Sequence, residues 1–463
     1  MARNTTPSTG GPTPDAGAPG LTRRLVDQAL SLRFEQLPPD VRRVARDCLV
    51  DWLGCTLAGR DEPVSTIVAE AARDEGGHPR ASFIGRSVRG TVAQAALVNG
   101  STSHALDYDD VHLSVPGHLS VAIIPALLAL AEDRGADAQA FTAAFVAGFE
   151  TACRIGRLVE PAHYANGFHA TATIGSLGAA VACAHLLRLT PTQACHALAL
   201  AATQASGLKA MFGTMAKPLH AGLASQAGLL SAVLAGKGLT ARTDALECTQ
   251  GFASVHGKDF HIDDALATPP AGHHLLGNHF KFHAACYSTH STIDAVAALR
   301  REHALAADAV AALQVVAGEG CSICNIASPT TALEAKFSLR AAAAFALLDI
   351  DTSGLDSWGR AMDADVVAVR DRVTVTLVPG MGLSDSVVTL QLRDGTQLRR
   401  AHDCGVPLAD KTAQSARVFA KFMALASPAL GAQRSRQVLA LLDGVDGGFD
   451  LRAVVGLCDD VNA

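Results

Sequence analysis

Hydrophobic positions recur at three- and four-residue spacing through the first half of the chain. After Pro38-Pro39-Asp40 come Val41, Val44, Ala45, Cys48, Leu49 and Trp52, which predict a helix running to Leu57 with Gly59 as its stop. The same period predicts helices over Val64–Ala72, Thr91–Leu106, Ser120–Asp133, Ala138–Leu158, Thr173–Leu187, Thr192–Leu208 and Pro218–Ala235. Most are rich in Ala with Gly inside, so they are expected to pack closely. Between Leu21 and Leu239 nothing alternates like a strand, and no fixed-period repeat occurs. Residues 1–20 are dominated by Pro, Gly, Thr and Ser, which predicts a disordered tail and not a signal peptide.

The pattern changes near Pro269. Leu313–Ala317 is β-rich, and Arg372–Val378 alternates polar with β-branched residues. Ser386–Leu392 and Thr396–Leu398 flank the turn dipeptide Asp394-Gly395, which predicts a hairpin. Helices are predicted at Thr289–Arg301 and Ala335–Leu348, and again at Asp410–Leu425. The fold class is therefore mostly α. An all-helical domain over 21–268, joined by 406–463, carries a smaller α+β domain over 269–405.

Composition narrows the classes of function. A chain of 463 residues is too long for one small core, and 49% hydrophobic with 18% charged residues is a globular balance. A net charge of −6 implies no basic face, so no nucleic acid is expected as partner. The longest uncharged apolar stretch, Val121 to Ala131, is too short to span a membrane, so none is expected as partner. Eleven Cys are scattered, several of them (Cys48, Cys55, Cys183, Cys195) on apolar helical faces, which suggests a reducing, cytoplasmic setting. Cys321 and Cys324 form one C-x-x-C without a second pair. They read as two loop thiols in preference to a zinc or redox site.

Two segments carry the chemistry. In Gly213-Thr214-Met215-Ala216-Lys217-Pro218-Leu219-His220-Ala221-Gly222, Pro218 marks a helix start and puts Lys217 at its N-terminus. A cation is unfavourable there unless an anion joins it. In Asn99 to His118, three Asp (Asp107, Asp109, Asp110) and three His (His104, His112, His118) surround Tyr108. The chain has only three Tyr, and Tyr108, Tyr164 and Tyr287 all lie beside clustered His, which points to a polar pocket. Asp107, His112 and His118 are possible metal ligands, but their spacing matches no compact zinc motif.

Together these segments resemble the MmgE/PrpD family, which includes 2-methylcitrate dehydratase, cis-aconitate decarboxylase and iminodisuccinate epimerase. Gly167–Gly175, Lys281–His290 and Leu333–Leu339 fit as well, so the resemblance runs from about Leu21 to about Leu430. It implies a helical domain with a smaller lid domain, a C-terminal helix that returns to the first domain, a homodimer, and a site in the cleft. It implies no metal and no organic cofactor. Residue by residue, it selects Asp107, His118, His169, Lys217 and His290 as catalytic, and His112, Tyr287 and Lys281 as substrate-binding. Asp109 and Asp110 are read as structural, and His220 as facing its own helix interior. Val111 stands where many relatives carry Thr, and Leu119 where Pro is common. The chemistry these residues suit is removal of a proton beside a carboxylate, with a His as base and Lys217 stabilising the charge that develops. The expected partner is a small di- or tricarboxylate. A hydro-lyase of the 2-methylcitrate dehydratase type is the first reading. An iminodisuccinate-type epimerase, a cis-aconitate-type decarboxylase and a non-catalytic metabolite-binding protein are the alternatives.

Overall fold

The computed structural model describes residues 19–258, 261–443 and 448–459. All but the last two residues of the tail predicted over 1–20 lie outside that range. Pro39 opens the helix Pro39–Gly59 at its first turn, where a missing N–H costs nothing. Thr91 and Gln94 exchange side-chain and backbone hydrogen bonds to start Val92–Ser103, and Thr190 and Gln193 do the same for Pro191–Ala202. Both helices stop earlier than the periodicity suggests, at Ser103 and Ala202, because polar site-forming loops follow them. A short hairpin also interrupts the helical half: β1 (Ala81–Phe83) pairs antiparallel with β2 (Val88–Gly90). Three-residue strands are too short to register as alternation.

Glycine and alanine let the central helices meet closely. A Cβ on Gly100 would lie 2.7 Å from the Cα of Gly222, so Val92–Ser103 and Ala216–Gly236 cross backbone to backbone at that point. A Cβ on Gly228 would lie 2.5 Å from the Cβ of Ala179 in Ala170–Leu186. Ala216–Gly236 is long and apolar enough by composition to cross a membrane, with half of its most apolar window buried in the bundle. It packs against Val92–Ser103, Ser120–Arg134, Ala170–Leu186 and Pro191–Ala202.

A second core draws on Cys55 and Tyr108 and then on most buried residues from Ala284 to Leu390. Its sheet runs β4 (Val373–Val378), β3 (Val310–Gly318), β5 (Asp385–Leu392), β6 (Gln397–Asp403). The β3–β4 pair is parallel and joined through the helix Leu339–Leu347; the other pairs are antiparallel. Gly395 takes φ +92° in the β5–β6 turn, a conformation that favours glycine. On β5, Ser386, Val388 and Leu390 are buried, one period-2 face of the strand. The helix expected over Ala335–Leu348 is broken at Ser338, whose side chain accepts the Ala341 N–H and caps Leu339–Leu347.

The chain then returns. Lys411–Leu430 starts on Asp410, which accepts the N–H groups of Thr412 and Ala413, and packs along Pro39–Gly59. Lys421 is buried there. Its Nζ donates to Asp51 Oδ1 at 2.6 Å and to the Tyr108 carbonyl at 2.6 Å, and lies 4.0 Å from the Tyr108 ring centroid. One ammonium thus ties the returning helix, the first core and the Tyr108 loop together. Removing one partner of a buried ion pair strands the other charge in a low-dielectric interior. We therefore expect Lys421→Met to lower stability by about 3–5 kcal/mol, read as a fall in the denaturant midpoint. A midpoint within error of the parent would show that the pair does not hold the helix.

Candidate active site

The loop after Val92–Ser103 carries the centre of the site. Asp107 adopts φ +50°, a left-handed conformation that Asp tolerates better than most residues. Lys281 holds this turn by donating from Nζ to the Asp107 carbonyl at 2.6 Å. The reach of Lys281 is set by two backbone bonds just upstream, Val111 N–H to the His279 carbonyl (2.8 Å) and His279 N–H to the Val111 carbonyl (2.9 Å). They zip the first-core loop to the segment that enters the second core.

Asp107 Oδ1 accepts from Lys217 Nζ at 2.7 Å and from Lys281 Nζ at 3.0 Å. Burial would raise this carboxyl's pKa, but the two ammonium groups outweigh it and hold it well below the usual range. Lys217 lies in the first turn of Ala216–Gly236, so the anion anticipated at that helix end is the protein's own Asp107.

Behind Asp107 lies a buried proton network. Asp109 Oδ1 accepts from His104 Nδ1 at 2.8 Å, and Asp109 Oδ2 stands 2.9 Å from His118 Nδ1. His118 Nδ1 also lies 2.7 Å from the Asp110 carbonyl, which can only accept, so this nitrogen carries the proton. Its other ring nitrogen, Nε2, lies 3.5 Å from Asp107 Oδ1. Burial pulls the pKa of His104 down to about 4 although Asp109 opposes it, so His104 stays neutral. Burial would raise the Asp109 carboxyl, but His104 and His118 override it and keep it ionised. Asp110 accepts from Asn278 Nδ2 at 2.7 Å and from the Ser120 hydroxyl, and burial raises it.

His169 stands just ahead of Ala170–Leu186, with Nδ1 3.1 Å from Nδ1 of His220. Burial first, then the charge of Lys217, holds it well below the ordinary imidazole value. Contrary to the reading of His220 as facing its own helix, it orients His169. The sequence reading also passed over His104 and took Asp109 as structural. Their signal was present in the density of Asp and His between Ser103 and His112, but loop residues carry no period that tells which way a side chain turns.

A cavity of about 90 Å³ opens on these groups. Asp107, His118, His169, Lys217, Lys281 and Tyr287 line it, and Tyr164, Phe212 and Cys286 join them. Much of the rest of the wall is apolar: Val111, Leu113, Ile323, Phe337 and Leu383. The Tyr287 hydroxyl is engaged, donating to the Cys404 carbonyl.

Two expected residues are not brought to this wall. His112 is buried with both ring nitrogens committed: Nε2 donates to the His274 carbonyl at 2.9 Å, and Nδ1 accepts from Ser114 N–H at 3.2 Å. His290 begins the helix His290–Glu302, with Nε2 3.3 Å from the Ala285 carbonyl, and packs against His283 and Tyr287. The short turn Tyr287–Thr289 swings it into a neighbouring cavity that also contains Asp294 and His402.

Four ligand-type side chains, His104, Asp107, Asp109 and His118, offer atoms within 4.8 Å of one another. A dication among them would face Lys217 and Lys281 at hydrogen-bond distance from Asp107. The arrangement is already charge-compensated and fits proton transfer and anion binding better than metal ligation.

A mostly helical protein with a smaller α+β domain and a charged, partly apolar cavity where they meet is the class that fold and site define. The chain belongs to the MmgE/PrpD family: residues 23–264 match the MmgE/PrpD N-terminal domain and 283–443 the MmgE/PrpD C-terminal domain. It is 33% identical over 179 residues to the cis-aconitate decarboxylase-like protein oryM of Aspergillus oryzae, covering 37% of each chain. It is 28% identical over 308 residues to a cis-aconitate decarboxylase of Aspergillus terreus, covering 61% of each. It is 28% identical over 279 residues to the cis-aconitate decarboxylase of Homo sapiens, covering 58% of this chain and 57% of that one. The matches span 61% or less of these relatives' lengths.

The committed tautomer of His112 has a pH consequence. Burial pulls its folded pKa down to about 4, below the unfolded value of about 6.5. The unfolded chain therefore binds this proton first, and the folded protein loses stability as pH falls from 6.5 toward 4. His112→Gln removes that linkage. We expect the parent's stability advantage over the variant to shrink by about 2 kcal/mol between pH 6.5 and 5, measured by denaturant unfolding at each pH. Parallel curves would contradict the neutral, buried state.

Proposed function

We propose that this chain is a lyase that acts on a small di- or tricarboxylate by proton transfer at a carbon beside a carboxylate, and that decarboxylation is its reaction. The observation that carries the proposal is the convergence of Lys217 and Lys281 on one carboxylate oxygen, 2.7 and 3.0 Å away, with His118 Nε2 3.5 Å from the same oxygen. A site that holds its own carboxylate between two lysines is built to hold a substrate's. As negative charge develops on the atoms next to the reacting carbon, the same ammonium groups stabilise it. His118 Nε2 and neutral His169 are the candidate groups for moving the proton.

Two features favour loss of CO₂ over loss of water. The apolar residues Leu113, Ile323, Phe337 and Leu383 offer a carboxylate no hydrogen bond, and a charged carboxylate against them is less stable than the neutral CO₂ it releases. The relatives named as cis-aconitate decarboxylases point the same way. The dehydratase and epimerase outcomes implied by the family resemblance would use the same lysines.

Proton NMR in D₂O separates these readings. With cis-aconitate, we expect one CO₂ lost per turnover and one deuteron placed next to a retained carboxylate. Conversion of 2-methylcitrate with release of water, or deuterium exchange in iminodisuccinate without net loss, would replace decarboxylation by the corresponding reaction. Turnover of none of the three would overturn the lyase reading.

Lys217→Ala tests the binding role. It should lower kcat/KM by at least about 100-fold, in the range of a lost charge-stabilising group, while Tm falls by no more than a few degrees. Unchanged kcat/KM with a large fall in Tm would make Lys217 structural.

A further inference from the structure

Two tyrosines line the charged cavity, and they differ at the hydroxyl. Tyr287 spends its own on the Cys404 carbonyl, whereas no group among the described residues pairs with that of Tyr164. Tyr164 is half-buried in the single turn Ala162–Ala165, which follows the helix Ala138–Val159. Its hydrogen bonds lie at the backbone: its N–H donates to Glu160 Oε2 at 3.1 Å, and its carbonyl accepts from Lys209 Nζ at 3.1 Å. The same ammonium stands 3.5 Å from the centre of the Tyr164 ring, so a cation–π contact holds the ring where the hydrogen bonds hold its root. Lys209 is itself fixed. Its N–H donates to the Gly167 carbonyl at 2.8 Å, and two residues earlier the Gly207 carbonyl accepts from His169 N–H at 3.0 Å. One short segment, 207–209, thus places both Tyr164 and His169 at the cavity. Burial raises the phenol well above its ordinary value, and Cys286, Cys324, Glu160 and Asp107 add to the rise. Cys286 and Asp107 belong to the cavity wall, so the hydroxyl is within their electrostatic reach, and it stays protonated as a donor.

We propose that Tyr164 is a substrate-binding residue whose hydroxyl donates to a second retained carboxylate, so that the site selects a tricarboxylate. The proposal rests on the carboxylate-binding reading of Lys217 and Lys281, and it divides the substrate among three surfaces. The two ammonium groups hold one carboxylate, the Tyr164 hydroxyl holds another, and Leu113, Ile323, Phe337 and Leu383 face the one that leaves as CO₂. A neutral donor suits the second place. A hydrogen bond acts only on the group it touches, whereas a third cation would act at a distance and steady the leaving carboxylate as well. A monocarboxylate fills the lysine place alone, so its binding gains nothing from Tyr164.

The test compares the whole chain with its Tyr164→Phe variant, which keeps the ring and its contact with Lys209 and removes only the hydroxyl. Calorimetric titration measures the tricarboxylate tricarballylate directly, and the monocarboxylate butyrate by competition with it. Tricarballylate should bind Tyr164→Phe at least about tenfold more weakly, the worth of a hydrogen bond to a charged group, while butyrate binds both proteins alike. The difference should hold from pH 6 to pH 9, because the phenol does not ionise in that range. Lys209→Met, which frees the ring, should weaken tricarballylate in the parent and add no further loss in Tyr164→Phe, since its effect passes through the hydroxyl. Equal affinity of parent and Tyr164→Phe for tricarballylate would overturn the role of Tyr164 and leave the lysine reading standing. Butyrate and tricarballylate weakened by the same factor would also overturn it, because the whole cavity would then have shifted. A parent protein that binds no tricarballylate would overturn the carboxylate reading of the cavity, and Tyr164 with it.

Discussion

Four carboxylates are packed where the two cores meet, and the structure depends on each being matched. Asp51, Asp107, Asp109 and Asp110 come from one helix and one loop, and the lysines that answer them come from three other segments. Lys421 arrives on the returning helix, Lys217 on Ala216–Gly236, Lys281 on the segment that opens the second core, and His104 and His118 from the two ends of the loop. Asn278 and Ser120 satisfy Asp110. Unpaired, any of these charges would cost several kcal/mol in a low-dielectric interior. Chain segments more than 300 residues apart in sequence are thus tied to one loop by the need to neutralise it.

The same requirement prepares the chemistry. Groups that pair strongly in the resting protein are already oriented, and little reorganisation remains when a substrate carboxylate enters. Asp107 acts as the resident anion. It holds Lys217 and Lys281 converging and keeps Lys281 charged, while the Asp110 carbonyl holds His118 Nδ1 and leaves Nε2 on the side of Asp107. The apolar wall, built from Val111 and Leu113 of the loop together with Ile323, Phe337 and Leu383, supplies the contrasting surface, so a bound polycarboxylate meets cations at one group and no polar partner at another. Neither core contains this combination alone.

Much of this was legible in the sequence. Helical period gave the long helices, because their buried faces extend over three or more turns. Alternation gave β4, and the β-rich run before Asp394-Gly395 gave β5 and its hairpin with β6. The misplaced Lys217 at a helix start announced an anion, although nothing local said that it would be Asp107. What stayed hidden is what only tertiary contacts decide. The β1–β2 hairpin is too short to show a period. His290 follows Lys281 closely in sequence, but the turn Tyr287–Thr289 rotates it away. His112 sits in the richest motif yet spends both nitrogens on backbone groups. Asp109 looked like a loop residue and stands between two histidines, accepting from His104 and lying 2.9 Å from His118 Nδ1.

The most direct test of this account is calorimetric titration of tricarballylate, an inert tricarboxylate, into the parent protein and into Asp107→Asn. If Asp107 is a resident anion that a substrate carboxylate must compete with for Lys217 and Lys281, the neutral variant binds tricarballylate at least about tenfold more tightly, since like-charge repulsion is removed and two lysines are freed. Equal or weaker binding in Asp107→Asn would contradict the claim that these lysines form a carboxylate site.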